Sequence, residues 1–113
     1  MPISGQRWSA FVHILQTDTG MITLAPAKAD RQYFIQTLNI FQSVSGAVAD
    51  TIESSDGSLV FAHVPPSAGV GVKVQINLPA ESPGFPVPKD LGLRVNIGAA
   101  GNRLQIAAGG YIE

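Results

Sequence analysis

Cysteine is absent from the 113 residues, which removes disulfides and thiolate metal ligands together. Charge is scarce as well. Only 13% of residues are charged, against about 25% in an average soluble domain. Seven Lys and Arg set against eight Asp and Glu leave a net charge of -1. The basic residues stand singly from Arg7 to Arg103, so no patch exists to displace counterions from a phosphate backbone, and nucleic acid is not an expected partner. Histidine is limited to His13 and His63, short of the three or four ligands that zinc takes. Gly69-Val-Gly71 lacks the lysine and the following helix of a phosphate loop, and no other motif calls for a cofactor. Apolar runs are too short to cross a membrane. Met1 to Arg7 carries no basic stretch followed by an apolar one, so the start does not read as a signal peptide, and a soluble chain made in the cytoplasm is expected.

Hydrophobic residues make up 45% of the chain and the mean hydropathy is +0.21. A chain of this length forms one domain, 1–113, that withdraws roughly two-thirds of its surface from water. With so little charge to solvate the remainder, part of the exterior is expected to be covered by copies of the chain or by another protein.

Period-2 alternation dominates. It is cleanest in Val70, Val72, Val74, Ile76 and Leu78, with Gly71, Lys73, Gln75 and Asn77 between them, which predicts one face toward a core and one toward water. The rhythm recurs in Leu91, Leu93, Val95 and Ile97, and again in Leu104, Ile106 and Ala108. From Gln32 to Gln42 the parity is mixed: Phe34, Leu38 and Ile40 oppose Tyr33, Ile35 and Phe41. A helix capped by Asp30 is the competing reading there, but the density of aromatic and β-branched residues favours a strand. Turn chemistry appears at Asp18-Thr-Gly20, Ser45-Gly46, Asp56-Gly57, Pro65-Pro66, Ser82-Pro-Gly84, Gly101-Asn102 and Gly109-Gly110. About eight strands follow: 7–16, 20–25, 32–42, 46–54, 58–64, 69–78, 91–97 and 103–112. Many short strands without helical interludes predict an all-β antiparallel sandwich or barrel. Asp56-Gly57, read as a type I′ turn, sets Ile52 opposite Phe61 and Asp50 opposite His63. Residues 1–6 form an extended arm. The Pro-rich loop 79–90 cannot donate to a ladder and is a candidate for reaching a neighbour.

Chemistry is sparse. Asp50 beside His63 reads as a cross-strand pair rather than a dyad, since no serine is placed with them and no Gly-x-Ser-x-Gly elbow occurs. Glu53 with Asp56, or Asp18 with Asp30, would be the acid and base of a glycosidase only if they left their solvated turn edges. No catalytic residue is assigned, and the chain reads as a non-enzyme. Trp8, Tyr33, Tyr111 and the phenylalanines suit a core or interface, or else a sugar-stacking platform. Phe85, in Gly84-Phe-Pro86, is the aromatic most plainly without a core of its own; it is expected either to fold back onto the sandwich edge or to anchor in a pocket of an adjacent subunit. Ile3, Val87 and Tyr111 join it as expected partner contacts.

From Ser45 onward the layout resembles the small bacteriophage head decoration, or cement, proteins and related minor capsid components. The features are Ala68-Gly-Val-Gly-Val-Lys-Val-Gln-Ile76, a Pro-rich stretch ending in Lys89-Asp-Leu-Gly-Leu-Arg-Val-Asn-Ile97, and the terminal Gly109-Gly-Tyr-Ile-Glu113. The resemblance implies a jelly-roll-like sandwich that acts as a homotrimer on the capsid surface of a virion and binds major capsid subunits. A phage tail or fibre component, or a carbohydrate-binding sandwich module, is the alternative.

Overall fold

A computed structural model describes residues 6–67 and 69–113. Those residues contain no helix, and so none that is long and apolar enough to cross a membrane. They form nine strands: β1 (Gln6–Ile14), β2 (Gly20–Ala25), β3 (Tyr33–Val44), β4 (Asp50–Ser54), β5 (Val60–Val64), β6 (Gly71–Asn77), β7 (Phe85–Pro86), β8 (Leu93–Ile97) and β9 (Arg103–Ile112). One sheet runs β1-β9-β3-β6, with the short β7 also paired to β3, and the other runs β2-β8-β4-β5. Every pairing is antiparallel. Leaving β7 aside, the pairs β1 with β9, β2 with β8, β3 with β6 and β4 with β5 are nested from the ends of the chain inward. A long hairpin rolled across two facing sheets has this connectivity, which is that of a jelly roll.

Alternation supplies the core. Ile14, Ile35, Leu38, Ile40, Leu104 and Ile106 from the first sheet face Leu24, Ile52, Val64, Leu93, Val95 and Ile97 from the second, all buried. Each such side chain contributes on the order of 2 kcal/mol by leaving water. The mixed parity of the segment around Phe34 has a physical cause. Ile35 pairs with Gly110 and Thr37 with Gly109, so Gln36 is an extra residue on β3. A bulge of this kind flips the side-chain phase. Tyr33 and Ile35 point inward before it, and Leu38, Ile40 and Gln42 after it. The helical reading of this stretch gives way to twelve residues of strand.

Five other expectations are corrected. The Asp56-Gly57 connection is not a type I′ turn, because of its two residues only Gly57 has positive φ, at 78°. Asp56 instead accepts from the Ser58 backbone N–H and hydroxyl through its Oδ1. The register also slips between Ile52 and Glu53, so that Ile52 faces Ala62, Thr51 faces His63 and Asp50 faces Val64. Gly109-Gly110 is not a turn but lies inside β9, where β3 approaches so closely that a Cβ on Gly110 would stand 1.9 Å from the Phe34 carbonyl oxygen. β4 begins at Asp50, since 46–49 belongs to a loop. Finally, the even-numbered face of β6 is not uniformly internal. Val74 pairs with Ile40 and Val72 with Phe41, so the register shifts around Lys73. Val74 and Ile76 consequently pack on the core, while Val72 and Val70 are left 63% and 68% exposed.

Candidate interaction surfaces

The Pro-rich segment is strapped to the first sheet instead of reaching away from it. Gln36, the bulged residue, donates from Nε2 to the carbonyls of Ala80 and Ser82 at 3.1 and 2.7 Å. Tyr111 donates its hydroxyl to Pro83 O at 2.9 Å, and the Val87 backbone N–H donates to Tyr33 O at 2.9 Å. Gly84 takes φ 75° where a Cβ would meet Ile35 O at 2.6 Å, a conformation and an approach that glycine alone accommodates cheaply. These ties turn Phe85 opposite Ile35 and Pro86 opposite Phe34.

The strap thereby places Phe85, 46% exposed, on the rim of a cleft of about 170 Å³ lined by Ile35, Leu38, Val60, Phe61, Ile76 and Phe85. The cleft opens where the two sheets end in β5 and β6, neither of which has a strand beyond it. All six lining residues are apolar. Leu59 and Val60 beside it are also exposed. The arrangement can receive a large apolar side chain but offers no acid, base or nucleophile to one.

A second apolar surface lies on the outer face of the first sheet. Cross-strand register sets Phe11 beside Ala107 and Phe41 between Gln105 and Val72. Phe11 is 66% exposed. A shallow hollow of about 220 Å³ between Phe41, Val72, Asn39, Gln75 and Gln105 lies on this face. Polar neighbours that carry no charge, Asn39, Gln75 and Gln105, complete it. Isolated exposed apolar side chains are ordinary, whereas several that adjoin on one rigid face mark a contact surface.

Elsewhere the polar side chains serve the fold. Arg94 donates from Nε to Glu53 Oε1 at 2.7 Å and from Nη1 to Ser55 O at 2.9 Å, closing the Ser54–Leu59 connection against β8. Asp18 accepts from the Leu15 backbone N–H at 2.7 Å. The Asp30 backbone N–H donates to Asp90 Oδ1. Neither Glu53 with Asp56 nor Asp18 with Asp30 is thus assembled as an acid and base pair. His63 is exposed and Asp50 buried, so the pairing between them is not made. Among the described residues no three His, Asp or Glu side chains converge on a position for a metal.

Of the three expected partner contacts among the described residues, Phe85 alone is exposed. Val87 is wholly buried and Tyr111 is 4% exposed, stacked on Phe34 at 4.6 Å; both are consumed by the strap and are corrected to core positions. Ile3 lies outside the described residues. The polar aromatics are likewise engaged: Trp8 Nε1 donates to Phe34 O and Tyr111 O at 3.2 and 3.1 Å, and Tyr33 is buried edge-on against Trp8 with its hydroxyl donating to Pro26 O. The aromatics left exposed are Phe11, Phe41 and Phe85, which have no hydrogen-bonding atom to read a sugar hydroxyl. Burial raises the Tyr33 hydroxyl above the ordinary tyrosine range, with Arg31 partly offsetting it. Burial likewise raises Tyr111, and Glu113 adds to the shift.

Sequence reasoning missed Phe11, Phe41, Val60 and Val72 as surface residues. The mixed parity around Phe41 was the available signal. Comparison with protein-family models, with curated proteins and with solved structures gives no match.

Proposed function

We propose that this chain is a virion structural protein, a decoration or cement subunit that associates with copies of itself as a homotrimer and binds major capsid subunits on the head surface. The observation that carries the reading is the placement of large apolar side chains at exposed positions on two rigid surfaces, the inter-sheet cleft around Phe85 and the outer face around Phe11, in a chain with few charges. Burial of such surfaces drives association without any chemistry at the interface. The jelly-roll connectivity supports it, since that architecture serves in viral capsid domains. Two open sheet edges, β5 and β6, add unpaired backbone groups that can accept a strand from a neighbour. A tail or fibre component would use the same surfaces, and binding to capsids separates the two.

The test is hydrodynamic and then functional. The purified chain is expected to run at three times its 11.8 kDa mass and to sediment with undecorated capsids. Phe11→Ser and Phe85→Ser, which touch little of the core, are expected to leave folding intact and to weaken one or both associations. A monomer that ignores capsids overturns the reading.

A further inference from the structure

At the end of the sandwich away from the Pro-rich strap, four loops meet around one side chain. Asn102 Oδ1 accepts from Gln42 Nε2 at 2.8 Å and from the Gly46 backbone N–H at 2.6 Å, and Asn102 Nδ2 donates to Val48 O at 3.0 Å. Gly46 in turn accepts at its carbonyl from the Ser67 N–H, and the Gly101 N–H donates to Gln16 O. Gln16, Ser67 and the connections 45–49 and 98–102 are thereby clipped together. Gly46 and Gly101 approach so closely that a Cβ on Gly46 would stand 2.8 Å from the Gly101 carbonyl carbon.

Asp50, Gln42 and Asn102 are each buried to within 1%. Three oxygens of this group, both carboxyl oxygens of Asp50 and Oε1 of Gln42, have no hydrogen-bond partner among the described residues. All three are acceptors. Buried polar atoms are rarely left unpaired, because each forfeits its hydration without return, and an ionised carboxylate in that position costs more than a neutral group. Among the described residues no cation hydrogen-bonds to it. The titratable residues on the elements packed here are Asp18 in the 15–19 connection, Glu53 on β4, His63 on β5, Lys73 on β6, Arg94 on β8, Arg103 on β9 and, at the distant ends of β3 and β9, Tyr33 and Tyr111. Glu53 and Arg94 pair with each other. Thr51 and His63 are paired one residue on from Asp50 and so lie on the opposite face of the sheet. Arg103 is exposed. From β5 and β8 the residues directly opposite Asp50 are Val64 and Ile97.

We propose that Asp50 carries a proton in the folded protein, and that this proton is a latch: its loss as pH rises leaves an unpaired buried charge that is relieved by loosening the loop end fastened through Asn102. The direction of titration agrees. Burial pushes the Asp50 carboxyl above the ordinary aspartate range, and the neighbouring Asn102 side chain only partly offsets it. A carboxyl whose folded value is raised binds its proton more tightly folded than unfolded. Stability from this group is therefore full at pH below the ordinary aspartate value and falls as pH climbs from there through the raised one.

Denaturant unfolding of the intact chain and of Asp50→Asn across acidic to mildly alkaline pH tests this, together with amide exchange at 45–49 and 98–102. The wild type is expected to show an unfolding equilibrium constant that grows by about tenfold or more over that range, with the two loops exchanging faster than the intrinsic pH effect. Asp50→Asn, which keeps the shape without the charge, is expected to lack both trends and to be the more stable protein at neutral pH. Parallel pH profiles for the two proteins overturn the latch. Should Asp50→Asn not fold, a carbon NMR titration of the wild-type Asp50 carboxyl decides: a midpoint at or below the ordinary aspartate value sinks the proposal, and one above it with coincident loop exchange upholds it.

Discussion

The centre of the first sheet and its β6 edge contain the same kinds of residue and use them differently. At the centre, β3 and β9 bury Ile35, Leu38, Ile40, Leu104 and Ile106, and a pair of glycines on β9 admits the bulge at Gln36. At the edge, Val70 and Val72 stand in water although their spacing from Val74 and Ile76 is regular. The difference lies in neighbours. β3 has a strand on each side and a second sheet beneath it, whereas β6 has one partner and a register shift at Lys73 that turns its first residues away from the core. Alternation identifies a strand; burial requires something to be buried against.

Substitutions sharpen that contrast. The largest effect is expected from Gly110→Ala at the centre, where the new methyl meets a carbonyl oxygen of β3 and neither backbone can yield. A loss of about 3 kcal/mol or more in urea unfolding is expected. Val87→Ala, beneath the strap, is expected to cost about 2 kcal/mol and to release Phe85 from the cleft rim. Protease cleavage within 79–90 reports that release, and an uncut loop would mean that the backbone ties of Gln36 and Tyr111 suffice without the valine. Arg94→Met leaves Glu53 partly buried without its cation and should destabilise by about 1 kcal/mol. Smallest is Val72→Thr at the edge, expected to change stability by less than about 0.5 kcal/mol. If Val72→Thr proved as costly as Val87→Ala in the isolated chain, the distinction between centre and edge would fail. If it cost nothing there but lowered the association constant, the edge would be a contact surface, as proposed.

The strand inventory was legible because alternation is local: eight of the nine strands, all but the two-residue β7, follow from residue spacing and turn residues, with ends displaced by a few positions. What misled was also local in origin. Asp56-Gly57 satisfies the requirements of a type I′ turn, yet the bulge after Ile52 moves Asp50 away from His63. Four prolines and a glycine spaced through 79–90 read as a free arm. The segment is held by side chains distant in sequence, Gln36 and Tyr111, which no window around the prolines contains. The same ties hide Val87 and Tyr111 and leave Phe85 in the open.

Composition and alternation alone determined an all-β chain of many short strands, with no thiol chemistry and few charges. Tertiary structure decided which strands became edges, which of the equally spaced apolar residues met a second sheet, and that Asp50 came to rest buried, opposite Val64 and Ile97. The reason is that propensity and period are properties of neighbours in sequence, while exposure and hydrogen-bond satisfaction depend on which distant segments pack together, and in a rolled hairpin nearly all of those partners come from the other end of the chain.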